Sequence, residues 1–84
     1  MFDSLKYIID EDGHFMIFSP TIHHITANQA SQRHTGSLCV GAGFIYLSNG
    51  IVSCWGYSES LNIKSNGIVD AKFIAESLGL KVEE

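Results

Sequence analysis

Eighty-four residues carrying a net charge of −4, with 45% hydrophobic and 17% charged residues, fit a single folded domain over residues 1–84 and exclude a disordered chain. The five basic residues, Lys6, Arg33, Lys64, Lys72 and Lys81, are scattered, which argues against direct nucleic-acid binding. No apolar run reaches the roughly 18 residues of a membrane helix, and Met1 to Lys6 lacks the basic and apolar regions of a signal peptide, so a cytoplasmic protein without a membrane partner is expected. A core this thin also favours a homodimer or a complex with another protein.

In chain order, Leu5–Asp10 and His14–Phe18 are strand-like runs joined at Gly13, which supplies the positive φ of a tight loop. The loop carries Asp10, Glu11 and Asp12 and is expected to face water. Ser19 is a suitable N-cap with Pro20 in the first helical position. A first helix follows to about His34, with Ile22, Ile25, Ala27 and Ala30 as its apolar stripe and Thr35-Gly36 as its stop.

The centre of the chain is a second hairpin. Leu38–Leu47 and Ile51–Tyr57 flank Asn49-Gly50, the dipeptide that suits a type I′ turn. Counting outward pairs Ser48 with Ile51, Leu47 with Val52, Tyr46 with Ser53, Ile45 with Cys54, Phe44 with Trp55 and Gly43 with Gly56. Side chains alternate along a strand, so one face is aliphatic (Ile45, Leu47, Val52, Cys54) and the other aromatic (Phe44, Tyr46, Trp55, Tyr57).

Residues 58–65 read as a polar loop. A second helix is expected from about Gly67 to Leu78, burying Val69, Ala71, Ile74, Ala75 and Leu78, with Lys72 and Glu76 paired on its exposed side. Gly79-Leu80 is a Schellman stop, and Lys81–Glu84 is expected to be a frayed tail. The expected fold is α+β: a four-stranded antiparallel sheet from two hairpins with two helices, in the order β-β-α-β-β-α. Both helices should cover the aliphatic face and leave the aromatic face outward.

Few residues suggest chemistry. Gly41-Ala42-Gly43 opens like a dinucleotide fingerprint, but Tyr46 replaces the third glycine and a strand follows. Gly56-Tyr57-Ser58-Glu59-Ser60 lacks the last glycine of a nucleophile elbow. His23 and His34 stand ~16 Å apart along one helix, too far to share an ion, so no metal and no cofactor are expected. The register puts Cys39 and Cys54 on the aliphatic face roughly 20 Å apart, too far for a disulfide, which suits a reducing compartment.

Two surfaces remain as binding candidates. The aromatic group Phe44, Tyr46, Trp55 and Tyr57 exceeds what a solvent face needs and suits a protein interface, unless the first hairpin or a helix covers it as a second core layer. The alternative is a small-ligand or anion site built from Ser58, Ser60, Lys64 and Ser65 at the start of the second helix, where local capping by the chain itself competes with a ligand.

Ala42-Gly43-Phe44-Ile45, Val52 to Leu61 and Asp70-Ala71-Lys72-Phe73-Ile74 together resemble small accessory proteins carried by phages and mobile elements. That resemblance implies a protein that binds and occludes host machinery, including defence systems such as CRISPR effectors, while the lack of any acid–base or nucleophile–base constellation makes a non-enzymatic protein the expectation. No catalytic residue comes with it.

Overall fold

In the computed structural model, which describes residues 4–82, the central hairpin forms in the register set by its turn. Asn49 and Gly50 both have positive φ, 53° and 76°, as a type I′ turn requires. Strand β3 (Cys39–Ser48) pairs with β4 (Ile51–Trp55), placing Phe44 opposite Trp55, Ile45 opposite Cys54 and Leu47 opposite Val52. The expected pair Gly43–Gly56 does not join the ladder. Gly56 leaves the strand with φ 85°, and a side chain there would meet the Phe44 ring at 2.8 Å.

The first hairpin, β1 (Leu5–Asp10) and β2 (Phe15–Phe18), docks through β1 onto β3. Its acidic tip is only partly solvated. The Asp10 side chain is buried, accepting the N–H groups of Asp12 and His14 and meeting the His14 ring at 3.1 Å. Burial raises its pKa, but those two N–H groups and the His14 ring outweigh this and hold it below the ordinary value.

The fold is mixed α+β with two helices and a mostly antiparallel sheet, as expected, but the sheet has five strands in the order β2-β1-β3-β4-β7 rather than four. The added strand is β7 (Lys81–Val82), in the stretch expected to fray; Glu83 and Glu84 lie outside the described residues. Gly79 and Leu80 form the Schellman stop, with Leu80 N–H on the Ala75 carbonyl at 2.8 Å. The chain turned back there runs parallel to β4, with Ile51 opposite Lys81. Parallel pairing needs a crossover, and helix α2 (Ile68–Leu78) provides it. The polar loop contains a further small ribbon, β5 (Tyr57–Ser58) with β6 (Ile63–Lys64). The order is therefore β-β-α-β-β-β-β-α-β.

The helices lie on opposite faces of the sheet, contrary to the expected single layer. Helix α2 packs Ala71, Ile74 and Ala75 on Tyr7, Ile9, Ile45, Val52 and Cys54, the aliphatic face. Helix α1 (His24–Thr35) puts Ala27 against Ile8, Phe18 and Ala42 on the other side. A sheet apolar on both faces must be covered on both, and each hairpin supplies part of each face. Along α2, Val69 is 66% and Leu78 47% exposed, so its buried stripe is narrower than expected. Helix α1 begins at His24 rather than Pro20 because Ser19–Ile22 closes a turn, with Ile22 N–H on the Ser19 carbonyl and Thr21 N–H on the Ser19 hydroxyl. Its stop at Gly36, φ 70°, is as expected.

Cys39 corrects another expectation. The β1–β3 register shifts between Ile9 and Asp10, and this bulge turns Cys39 into the cluster beneath α1, away from Cys54. Both cysteines are free. Burial pushes the Cys54 thiol up to about 12, with the Asp70 charge adding to it, so the thiol is an unreactive core group at neutral pH.

A buried polar network fastens α2 to the sheet. The Tyr7 hydroxyl lies 2.6 Å from both Ser65 Oγ and Asp70 Oδ2. Asp70 also accepts the Asn66 backbone N–H at 2.9 Å and its Nδ2 at 3.2 Å. Burial and then the Asp70 bond push the Tyr7 hydroxyl far above the phenol range, so it stays a donor. This network explains Gly41: a side chain there would meet Asp70 Oδ2 at 2.8 Å.

Candidate functional site

Four residues placed in one row by strand pairing organise the α1 side of the sheet. Phe18, Lys6, Phe44 and Trp55 are successive register partners across β2, β1, β3 and β4. At the α1 end of the row the buried His24 ring stands edge-on to Phe18 and Phe44, centroids 5.6 and 6.0 Å away. Trp55 stacks on Phe44 at 6.2 Å and 28°. Helix α1 thus covers the first half of the face and stops short of β4.

What stays open is the aromatic end. Trp55 is 42% exposed, Tyr46 38% and Tyr57 54%, with Ile51 beside them at 38%. Phe44 is half-buried. The four aromatic residues do gather on one side, but as three open rings around a partly covered fourth.

Beside this platform is a cavity of about 570 Å³ between the start of α1, the row and the β5–β6 ribbon. His24 is its buried lining, Phe44 and Lys6 are half-buried, and the exposed His23, Tyr57, Glu59 and Ser60 complete it. Lys6 Nζ donates to the Ile22 carbonyl at 3.0 Å. The Ser60 hydroxyl accepts the Ile25 N–H at 3.2 Å and so caps α1 from outside the helix, since the His23 side chain does not. The Tyr57 hydroxyl donates to Glu59 at 3.3 Å.

His24 sets the local electrostatics. Its Nε2 lies 2.9 Å from the Gly43 carbonyl, which makes Nε2–H the donor and leaves Nδ1 an acceptor. Burial lowers its pKa first of all, the Gly43 bond works against this, and the charges of Lys6 and His23 lower it again. Its contribution to stability is complete above the unfolded value of about 6.5 and is lost as pH falls from there toward the lower folded value. The unfolding midpoint should therefore drop between pH 7 and pH 5, and His24→Gln should flatten that slope. Thermal melts across this range check it; an unchanged slope in the variant would assign the dependence to another group.

Of the residues of the alternative ligand site, the Ser58 and Ser60 hydroxyls lie 3.4 Å apart, but the set does not form one pocket. Ser58 is fully buried and accepts the Leu61 N–H. Ser65 holds Tyr7 and the Gly67 N–H. Lys64 is exposed on β6, and only Ser60 reaches the cavity. The start of α2, read as an anion site, already holds the Asp70 carboxylate. That residue signals itself in the sequence, because an acid in the first helical turn is the usual partner of free N–H groups. His24 and Lys6 carry no such signal. Their roles arise from the β1–β3 pairing and the docking of α1, both long-range.

Among the described residues no helix is long and apolar enough to cross a membrane. Comparison of the chain with protein-family models, curated proteins and solved structures finds no match.

Proposed function

We propose that this chain is a non-enzymatic interaction domain that binds protein through Tyr46, Trp55, Tyr57 and the edge of Phe44, with a second copy of itself as partner. The observation that carries this reading is the gathering of three half-open aromatic rings and Ile51 on the part of the sheet that α1 leaves bare. Trp and Tyr bury large areas at small entropic cost and dominate interface energetics. A flat sheet face also meets its own copy about a two-fold axis without needing a groove. Two free thiols fit a reducing, cytoplasmic setting.

Trp55→Ala and Tyr46→Ala should each weaken association by roughly tenfold or more, the range of interface hot spots, while Ser60→Ala leaves it unchanged. Analytical ultracentrifugation of the three variants checks this. Equal dissociation constants for all three would refute the surface. A monomer with Trp55 open to solvent would move the partner from a second copy to a different protein, the occluding, inhibitor-type action that the resemblance to phage accessory proteins implies.

A further inference from the structure

The cavity beside α1 has a composition of its own, and its occupant need not be protein. We propose that it binds a small planar aromatic anion carrying a hydroxyl or N–H donor. Its volume of about 570 Å³ falls among small-molecule sites, roughly 300–1,000 Å³. Phe44 and Tyr57 supply apolar walls for a flat ring.

Positive charge comes from two directions. Lys6 uses one of its three N–H donors on the Ile22 carbonyl and keeps two for a ligand. The positive end of α1 opens here as well, with no acidic residue in its first turn and only the neutral Ser60 hydroxyl on its Ile25 N–H.

His24 selects for a donor on the ligand. It lines the cavity, is 4% exposed, and has its Nε2–H committed to the Gly43 carbonyl. The neutral ring therefore presents Nδ1 as an acceptor in a setting where a matched donor is worth most. Glu59 opposes the anion. It is exposed and engaged by the Tyr57 hydroxyl, so its repulsion is screened and favours a single negative charge over a double one.

The test uses three isosteric probes, 4-hydroxybenzoate, neutral 4-hydroxybenzamide and cationic 4-hydroxybenzamidine, titrated into the full chain by amide NMR. The benzoate is expected to saturate below about 10 mM, with shifts centred on Lys6, His24, Phe44 and Tyr57, and to bind best of the three. Lys6→Met should weaken it by roughly tenfold, as loss of one charge-assisted hydrogen bond does. Lys6→Arg, which keeps the charge and a donor for Ile22, should retain it, and Glu59→Gln should strengthen it. Equal binding of the amide or amidine, shifts centred elsewhere, no saturation, or indifference to Lys6→Met in a variant whose spectrum stays folded would each overturn the site. Tyr46→Ala, at an interface residue that does not line the cavity, should leave benzoate binding intact, which separates failure here from failure of the protein interface.

Discussion

Alanine at position 43 is expected to destabilise the fold by about 3 kcal/mol, the upper end of overpacking costs. A Cβ on Gly43 would collide with the Trp55 carbonyl oxygen and stand 3.1 Å from the Ser65 Cβ. The first neighbour is main chain, so no rotamer change relieves the contact, and β3 must separate from the end of β4. The same carbonyl that binds the His24 ring belongs to Gly43, so the shift also loosens α1. Thermal unfolding followed by circular dichroism should show a loss of roughly 15 °C for a domain of this size. Gly36→Ala is the control. Nothing lies within 4 Å of its Cβ, and only its φ of 70° opposes a side chain, which costs about 1 kcal/mol. Equal losses for the two variants would show that the close approach at Gly43 is not the cause.

Removal of the Asp70 carboxylate is the second large effect. Asp70→Ala takes the charged acceptor from the buried Tyr7 hydroxyl, leaving it Ser65 Oγ at 2.6 Å, strips the Asn66 backbone N–H of its acceptor, and leaves Asn66 Nδ2 only the Val40 carbonyl at 3.4 Å. Buried donors left without partners cost about 1–3 kcal/mol each, and less in sum where groups relax together. The expected loss is about 2–3 kcal/mol in chemical denaturation. Tyr7→Phe removes only the donor and leaves Asp70 its bonds to Asn66, so it should cost about 1–2 kcal/mol. The double variant should cost much less than the sum, because both single changes break the same bond. Strict additivity would mean that the two side chains do not interact in solution.

These two positions also show where sequence reasoning reaches. Local chemistry was legible: Asn49-Gly50 set the hairpin register for all expected pairs but Gly43–Gly56, and Gly79-Leu80 ended α2 as expected. The two-faced character of that hairpin was legible too, since it follows from alternation alone. Long-range choices were not. Nothing near Lys81 announces that it will pair with Ile51, because that pairing depends on where α2 returns the chain. The bulge beside Cys39 depends on how β1 meets β3, so counting along one strand placed that thiol on the wrong face. Gly41 admits the Asp70 carboxylate, which α2 brings from elsewhere in the fold, while Gly43 admits the Trp55 carbonyl across its own hairpin.

At the candidate site the aromatic residues were legible as a group because they share one hairpin. Their partial cover was not. Helix α1 crosses to their face and stops at Phe44, burying His24 against it while leaving Trp55 open. The cavity is a product of that docking and of the β5–β6 ribbon, whose Ser60 caps the helix.

The most direct test of the interaction surface is the solution mass by light scattering, with acrylamide quenching of Trp55, the one tryptophan in the chain, measured across a dilution series. Association through the aromatic face predicts twice the mass of one chain with a shielded Trp55, and both mass and shielding should fall together on dilution. A single-chain mass at every concentration with Trp55 equally shielded throughout would contradict it.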